Sequence, residues 1–185
     1  MKKVLMAVAI VCAAAFAQAS TIKWKCANGI ADGTEEGATS ATMVYLINAA
    51  TLSQTDIYDA VLGGATLDEA VAGKYLSSAT PRDGVVAQKS FDSTLSGSTS
   101  LYMVCFDGDM NALYFSEQMK KTVADVGDTL FGFSANSSIE AAMADMSTFD
   151  TSVGGWVSTA AVPEPTSGLL MLLGMAGLAL RRRRS

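Results

Sequence analysis

Two uninterrupted apolar segments lie in the middle of the chain, Met43 to Ile47 and Leu101 to Phe106. Each is too short for an isolated helix, and continuous apolarity over so few residues is typical of a strand covered on both faces. We therefore expect two central strands that form the core. Further strand patterns occupy residues 22–26, 85–89, 112–116, 129–133 and 156–160.

A capping box predicts the start of one helix. Thr66 and Glu69 have the spacing at which each side chain bonds the backbone of the other, and Leu67, Val71 and Tyr75 follow on one helical face. The sequence thus predicts a helix that continues to Tyr75.

A second box, Ser137 with Glu140, precedes Ile139, Met143 and Met146 at helical spacing. A shorter helix is expected over residues 54–62, because Gly63–Gly64 favours termination there. These elements indicate an α+β fold, a single β-rich domain with two or three short helices. The helices near residues 54–77 would cross between strands.

The first residues resemble a secretory signal peptide. Two lysines precede an apolar run over residues 4–16, and Ala17 and Ala19 form a small-residue cleavage motif. The apolar run is shorter than the ~20 residues that an uncleaved spanning anchor needs. We expect an N-terminal signal helix over residues 1–19 and a mature chain that begins at Ser20.

Charge is distributed unevenly along the chain. Of the 13 Lys and Arg residues six lie in the two terminal segments, whereas only one of the 18 Asp and Glu residues does, which leaves residues 20–162 with a net charge of −10. Nucleic acid and anionic lipid surfaces both require cationic side chains, so this balance disfavours both as partners. The length of this segment fits one exported domain, assigned to residues 20–161.

Cys26 and Cys105 are the cysteines of the exported domain. An even pair in an oxidising compartment favours one disulfide, which would close a loop of about 80 residues and stabilise the fold by roughly 4 kcal/mol. The alternative is two buried thiols, because free cysteine is among the most buried residue types.

The C-terminal end has three parts. Pro163-Glu164-Pro165 must stay extended, because the two prolines lack an N–H. The uncharged residues 168–180 would form a helix of about 20 Å at ~1.5 Å per residue, which is short for a membrane core of ~30 Å. Four arginines follow, and the positive-inside rule places them in the cytoplasm. They are Arg181, Arg182, Arg183 and Arg184.

These three parts in this order resemble the PEP-CTERM sorting domain, over residues 162–185. The resemblance implies that Pro163, Glu164 and Pro165 are recognised by an exosortase, a membrane-embedded cysteine protease or transpeptidase. It also implies that the terminal arginines are the cytoplasmic stop and that the chain is cut near the motif. The alternative is a permanent single-pass anchor, since bilayer thinning and snorkelling arginines accommodate a short helix.

No catalytic constellation is visible in the sequence. The chain has no histidine, which excludes His-assisted nucleophiles and His-ligated metals. The segment from Asp107 to Asn111 alternates oxygen-bearing side chains as a calcium loop does, but Ala112 and Gln118 stand where an EF-hand has Gly and Glu. A hairpin turn explains the same residues better. We expect no catalytic residue, no metal site and no cofactor.

These observations favour a non-enzymatic surface or extracellular-matrix protein. It would meet signal peptidase and exosortase during export, pass through an inner-membrane intermediate, and end at the cell surface or outside the cell. The family resemblance adds exopolysaccharide and other surface proteins as partners. Two alternatives stay open, a secreted hydrolase that depends on carboxylates, and a module that binds carbohydrate or calcium.

Overall fold

The computed structural model describes residues 20–27, 30, 43–82, 84–107, 111–134 and 146–160. Its strands are β1 (Ser20–Cys26), β2 (Val44–Asn48), β3 (Tyr75–Ala79), β4 (Val86–Ser93), β5 (Gly97–Asp107), β6 (Ala112–Ser116), β7 (Met119–Val123), β8 (Gly127–Phe133) and β9 (Gly154–Ser158). Helices α1 (Gln54–Leu62) and α2 (Leu67–Val71) lie between β2 and β3.

The strands form two sheets. Sheet A has the order β4-β1-β8, in which β1 runs antiparallel to β4 and parallel to β8. Sheet B has the order β3-β2-β5-β6-β9, and β7 also pairs with β5. The eleven residues of β5 accommodate two partners along one edge, β7 beside Gly97 to Leu101 and β6 beside Val104 to Asp107.

Two apolar cores follow from the alternation of side chains along the strands of sheet B. In β2, Val44 and Leu46 belong to the core between the sheets, whereas Tyr45 and Ile47 belong to the core between sheet B and the helices. We call these the inter-sheet core and the helix-side core. All five residues of β2 are buried, which confirms the predicted central strand covered on both faces.

Both helices begin at a capping box. The Ser53 hydroxyl accepts the backbone N–H of Asp56, and the Thr66 hydroxyl accepts that of Glu69. The predicted continuation of α2 to Tyr75 is wrong. The helix ends at Val71, because Gly73 has a φ of 69°, a left-handed conformation that glycine adopts without strain. Tyr75 instead begins β3.

A buried polar corner connects α1 to sheet B. Ser116 ends β6, and its hydroxyl accepts the backbone N–H of Met103 at 2.8 Å, where β5 changes partner. The side-chain amide of Gln54, which is 2 % exposed, donates to the Ser116 carbonyl at 3.2 Å, and Gln118 donates to the Gln54 amide oxygen at 3.1 Å. These bonds satisfy polar groups that burial would otherwise leave without partners.

The structure confirms a β-rich domain with short helices, and it contains strands at all seven positions expected from the sequence. Two described strands, β3 and β7, were not predicted. The predicted helix from Ser137 lies outside the described residues up to position 145, and Met146 lies in a turn. The predicted signal helix and C-terminal helix also lie outside the described residues.

Candidate functional site

A cavity of about 350 Å³ lies at one end of the helix-side core and is open to solvent on one side. It forms where the connection between α1 and α2 meets the end of β5, the start of β6 and the end of β9. Three distant parts of the chain therefore supply its walls. The lining residues are Val61, Gly64, Ala65, Thr66, Leu67, Phe106, Asn111 and Thr159.

Backbone bonds fix the polar side of this cavity. Asn111 has a φ of 48° and is the non-glycine residue with positive φ among the described residues. Its carbonyl oxygen accepts two hydrogen bonds from Thr159, from the backbone N–H at 2.8 Å and from the hydroxyl at 2.6 Å. Asparagine tolerates this left-handed conformation better than most residues do. These bonds hold the Asn111 backbone at the rim of the cavity, where the residue is exposed to solvent.

The opposite wall is the start of α2. The Glu69 carboxylate accepts the Thr66 backbone N–H at 2.8 Å and the Thr66 hydroxyl at 3.0 Å. These bonds lower the pKa of Glu69, because they favour the charged form. The Glu69 charge is therefore part of the helix cap, and the lining residues that the structure describes include no ionisable side chain.

Next along α2, Asp68 accepts a hydrogen bond of 2.6 Å from the Tyr45 hydroxyl. Burial and this bond to Asp68 raise the pKa of Tyr45 to about 12. The Tyr45 ring also contacts the ring of Tyr75, with 5.1 Å between the centroids. The hydrogen bond thus ties α2 to β2, and the ring contact joins β2 to the edge strand β3, where Tyr75 remains 44 % exposed.

The predicted disulfide is not supported. Cys26 and Cys105 are both buried thiols of the inter-sheet core, one on each sheet. Burial raises the pKa of the Cys105 thiol, and the nearby Asp107 and Cys26 add to the shift. A neutral thiol packs as a small apolar side chain, so the alternative of two buried thiols describes this structure.

Asp107 and Asn111 are the two ends of the segment that alternates oxygen-bearing side chains as a calcium loop does, and they lie between or within the paired strands β5 and β6. Asp107 ends β5 and pairs with Ala112 at the start of β6. β5 and β6 therefore pair as a β-hairpin, as predicted, while residues 108–110 between them lie outside the described ranges. Within those ranges, no group of three or more His, Cys, Asp or Glu side chains is placed to hold a metal ion.

The predicted sorting and processing residues lie almost wholly outside the described residues. This holds for Pro163, Glu164, Pro165, Arg181, Arg182, Arg183 and Arg184, and for Ala17 and Ala19. Ser20 is described, and it is the first residue of β1. Across the described ranges, no helix is long and apolar enough to span a membrane.

Comparison with known proteins identifies one segment of the chain. Residues 161–184 match the family model of the PEP-CTERM protein-sorting motif. The chain therefore carries this sorting motif, as predicted from the proline pair and the terminal arginines, and the motif implies exosortase-dependent sorting to the cell surface. No curated protein and no solved structure matches the chain.

The cavity was not predicted from the sequence. The lining residues that the structure describes are apolar or uncharged and come from positions between 61 and 159, so no local motif signals them. The closest sequence signal was the turn composition before β6, which includes Asn111.

Proposed function

We propose that this is an exported cell-surface protein whose final location depends on an exosortase and whose domain acts by binding or assembly rather than by catalysis. The observation that carries the proposal is the sorting motif over residues 161–184. An acidic domain on an export route is suited to the outside of the cell, where it stays soluble.

The proposed route has two processing steps. Signal peptidase cuts between Ala19 and Ser20, and the C-terminal helix then holds the protein in the inner membrane with Arg181 to Arg184 on the cytoplasmic side. The exosortase next acts near Pro163–Pro165 and releases the domain to the surface. A helix of about 20 Å suits temporary retention, because it spans a ~30 Å core poorly.

The proposal of a non-enzymatic domain rests on the side-chain chemistry. The chain lacks histidine, the commonest general acid or base near neutral pH. Several exposed carboxylates have structural partners. Asp56 and Glu69 cap the two helices, and Asp150 accepts bonds from the Ser152 backbone and hydroxyl at 2.8 and 2.7 Å. These contacts support structural roles for three of the carboxylates that a hydrolase could otherwise use.

Substitution of the motif in the producing cells tests the proposal. The variant Pro163→Ala/Glu164→Ala/Pro165→Ala should accumulate in the inner membrane, because the exosortase no longer recognises it. The matched control Thr166→Ala/Ser167→Ala should reach the surface like the unmodified protein. Cell fractionation and surface proteolysis measure the distribution. Equal surface delivery of the motif variant would contradict exosortase sorting.

A further inference from the structure

The cavity beside α2 has the features of a small-ligand site. Concave sites of ~300–1,000 Å³ with apolar walls and a few fixed polar groups are the usual binding pockets of proteins. This cavity, at about 350 Å³, lies at the lower end of that range and is large enough for a single six-membered ring. Its open side lets the rest of a larger ligand continue into solvent.

The described lining disfavours charged ligands. None of the eight lining residues that the structure describes is ionisable, so a carboxylate, phosphate or ammonium group would lose water without gaining an opposite charge from them. The negative charge of the domain opposes anions further. A neutral ligand therefore fits this cavity best.

The polar groups of the lining match hydroxyl groups. The side-chain amide of Asn111 both donates and accepts hydrogen bonds, and the Thr66 and Thr159 hydroxyl oxygens keep lone pairs that can accept. A ligand hydroxyl also both donates and accepts, so it can bond to each of them. A purely apolar ring would gain no hydrogen bond from these groups.

The apolar wall of the cavity can contact the apolar part of a ligand. Phe106 lies on the helix side of β5, is partly buried against the helix-side core, and lines the cavity together with Val61 and Leu67. A sugar ring has hydroxyls at its edge and C–H groups on its faces, so it can contact this wall and the polar rim at once. We infer that the cavity binds one neutral sugar unit of a glycan. Binding of this kind goes beyond sorting, which does not require it.

A pair of tryptophan substitutions tests this inference on the protein purified from its own cells. Ala65→Trp places a large ring in the cavity, and Ala87→Trp places the same ring on an exposed position of β4. The probes are the methyl glycosides of glucose, galactose and mannose, with glucuronate as the charged comparison, measured by saturation-transfer NMR. We expect at least one neutral glycoside to bind, with an affinity about tenfold or more weaker in Ala65→Trp and unchanged in Ala87→Trp.

The variant Asn111→Asp separates hydrogen bonding from shape. Aspartate tolerates the positive φ of this position but cannot donate, so neutral glycosides should bind several-fold more weakly while the fold is retained. Failure of all three glycosides to bind would overturn the inference. The inference would also be overturned if Ala65→Trp bound the glycosides as tightly as the unmodified protein does, or if glucuronate bound as tightly as the neutral probes. The surface delivery of the variant at Pro163, Glu164 and Pro165 is measured independently of glycoside binding. Exosortase sorting and sugar binding can therefore each fail without the other.

Discussion

The indole N–H of Trp24 donates a hydrogen bond of 3.1 Å to the hydroxyl of Ser77, which joins the central strand of sheet A to the edge strand of sheet B. Trp24 is wholly buried in the inter-sheet core. Its polar atom therefore depends on a protein partner, and Ser77 supplies it across the two sheets.

Removal of the Ser77 hydroxyl should destabilise the domain. In Ser77→Ala the buried indole N–H of Trp24 loses its acceptor, so we expect the free energy of unfolding to fall by about 1–3 kcal/mol. Ser90→Ala, on the exposed part of β4, should change it by less than about 0.5 kcal/mol. Urea unfolding measures both, and equal stabilities of the two variants would show that the bond contributes nothing.

The bond between Tyr45 and Asp68 should make stability depend on alkaline pH. The pKa of Tyr45 is raised to about 12 in the folded state, against an ordinary value of 10. The unfolded chain therefore ionises first, and the stabilisation present below pH 10 is lost as the pH rises towards 12. In Tyr45→Phe, the free energy of unfolding should depend less on pH between 10 and 12.

The same variant loses one hydrogen bond, so at pH 7 it should be less stable by about 0.5–1.5 kcal/mol. Burial also raises the pKa of Tyr102, so part of the alkaline dependence should remain in Tyr45→Phe. Chemical unfolding between pH 7 and 12 measures both effects. Identical pH profiles for the variant and the unmodified protein would rule out the assigned role of Tyr45.

Two glycines with similar φ should differ in their tolerance of alanine. Gly154 has a φ of 76°, and a Cβ there would lie 2.5 Å from the Glu117 backbone nitrogen. Gly97 has a φ of 68° and open space around it. Gly97→Ala should lower the free energy of unfolding by about 1 kcal/mol through strain alone.

Gly154→Ala should lower the free energy of unfolding by roughly twice as much as Gly97→Ala or more, since the backbone at the end of β6 must also move. Thermal unfolding of the two variants gives the comparison. A smaller effect at Gly154 than at Gly97 would contradict the close approach of β9 to this backbone.

The position of Ser20 predicts the order of folding and signal cleavage. Ser20 is 4 % exposed, and its hydroxyl donates to the carbonyl oxygens of Ser93 at 3.0 Å and Leu95 at 3.3 Å. β1 pairs on both edges from Ser20 onward. Once sheet A has formed, a protease therefore cannot bind the peptide bond after Ala19 in its active site. A folded precursor should therefore resist purified signal peptidase.

A precursor with a flexible Gly-Ser spacer between Ala19 and Ser20 is the matched control. It should be cleaved after folding, because the scissile bond then lies away from β1. Gel analysis of both refolded precursors in detergent gives the rates. Equal cleavage rates would contradict the burial of Ser20 in the precursor.

The accuracy of the sequence predictions depended on where each element lies. The strands in β2 and β5 were predictable because both faces are buried and both runs are apolar. Two edge strands of sheet B escaped prediction, since Ser77 and Ser78 in β3 and Lys120 in β7 give no apolar pattern. Their pairing comes from tertiary contacts.

The helix predicted through Tyr75 failed for a local reason. The spacing of Leu67, Val71 and Tyr75 fits a helix, but Gly73 breaks it and frees Tyr75 for β3. The cavity could not be predicted at all, because Ala65, Phe106 and Thr159 meet only after both sheets and the helices have packed.

The intact mass of the protein purified from the surface of its own cells tests the central claim most directly. We predict a chain that begins at Ser20 and ends near Pro163-Glu164-Pro165, with any added anchor visible as extra mass. A chain that still contains Arg181 to Arg184 would contradict exosortase processing and identify a permanently anchored membrane protein.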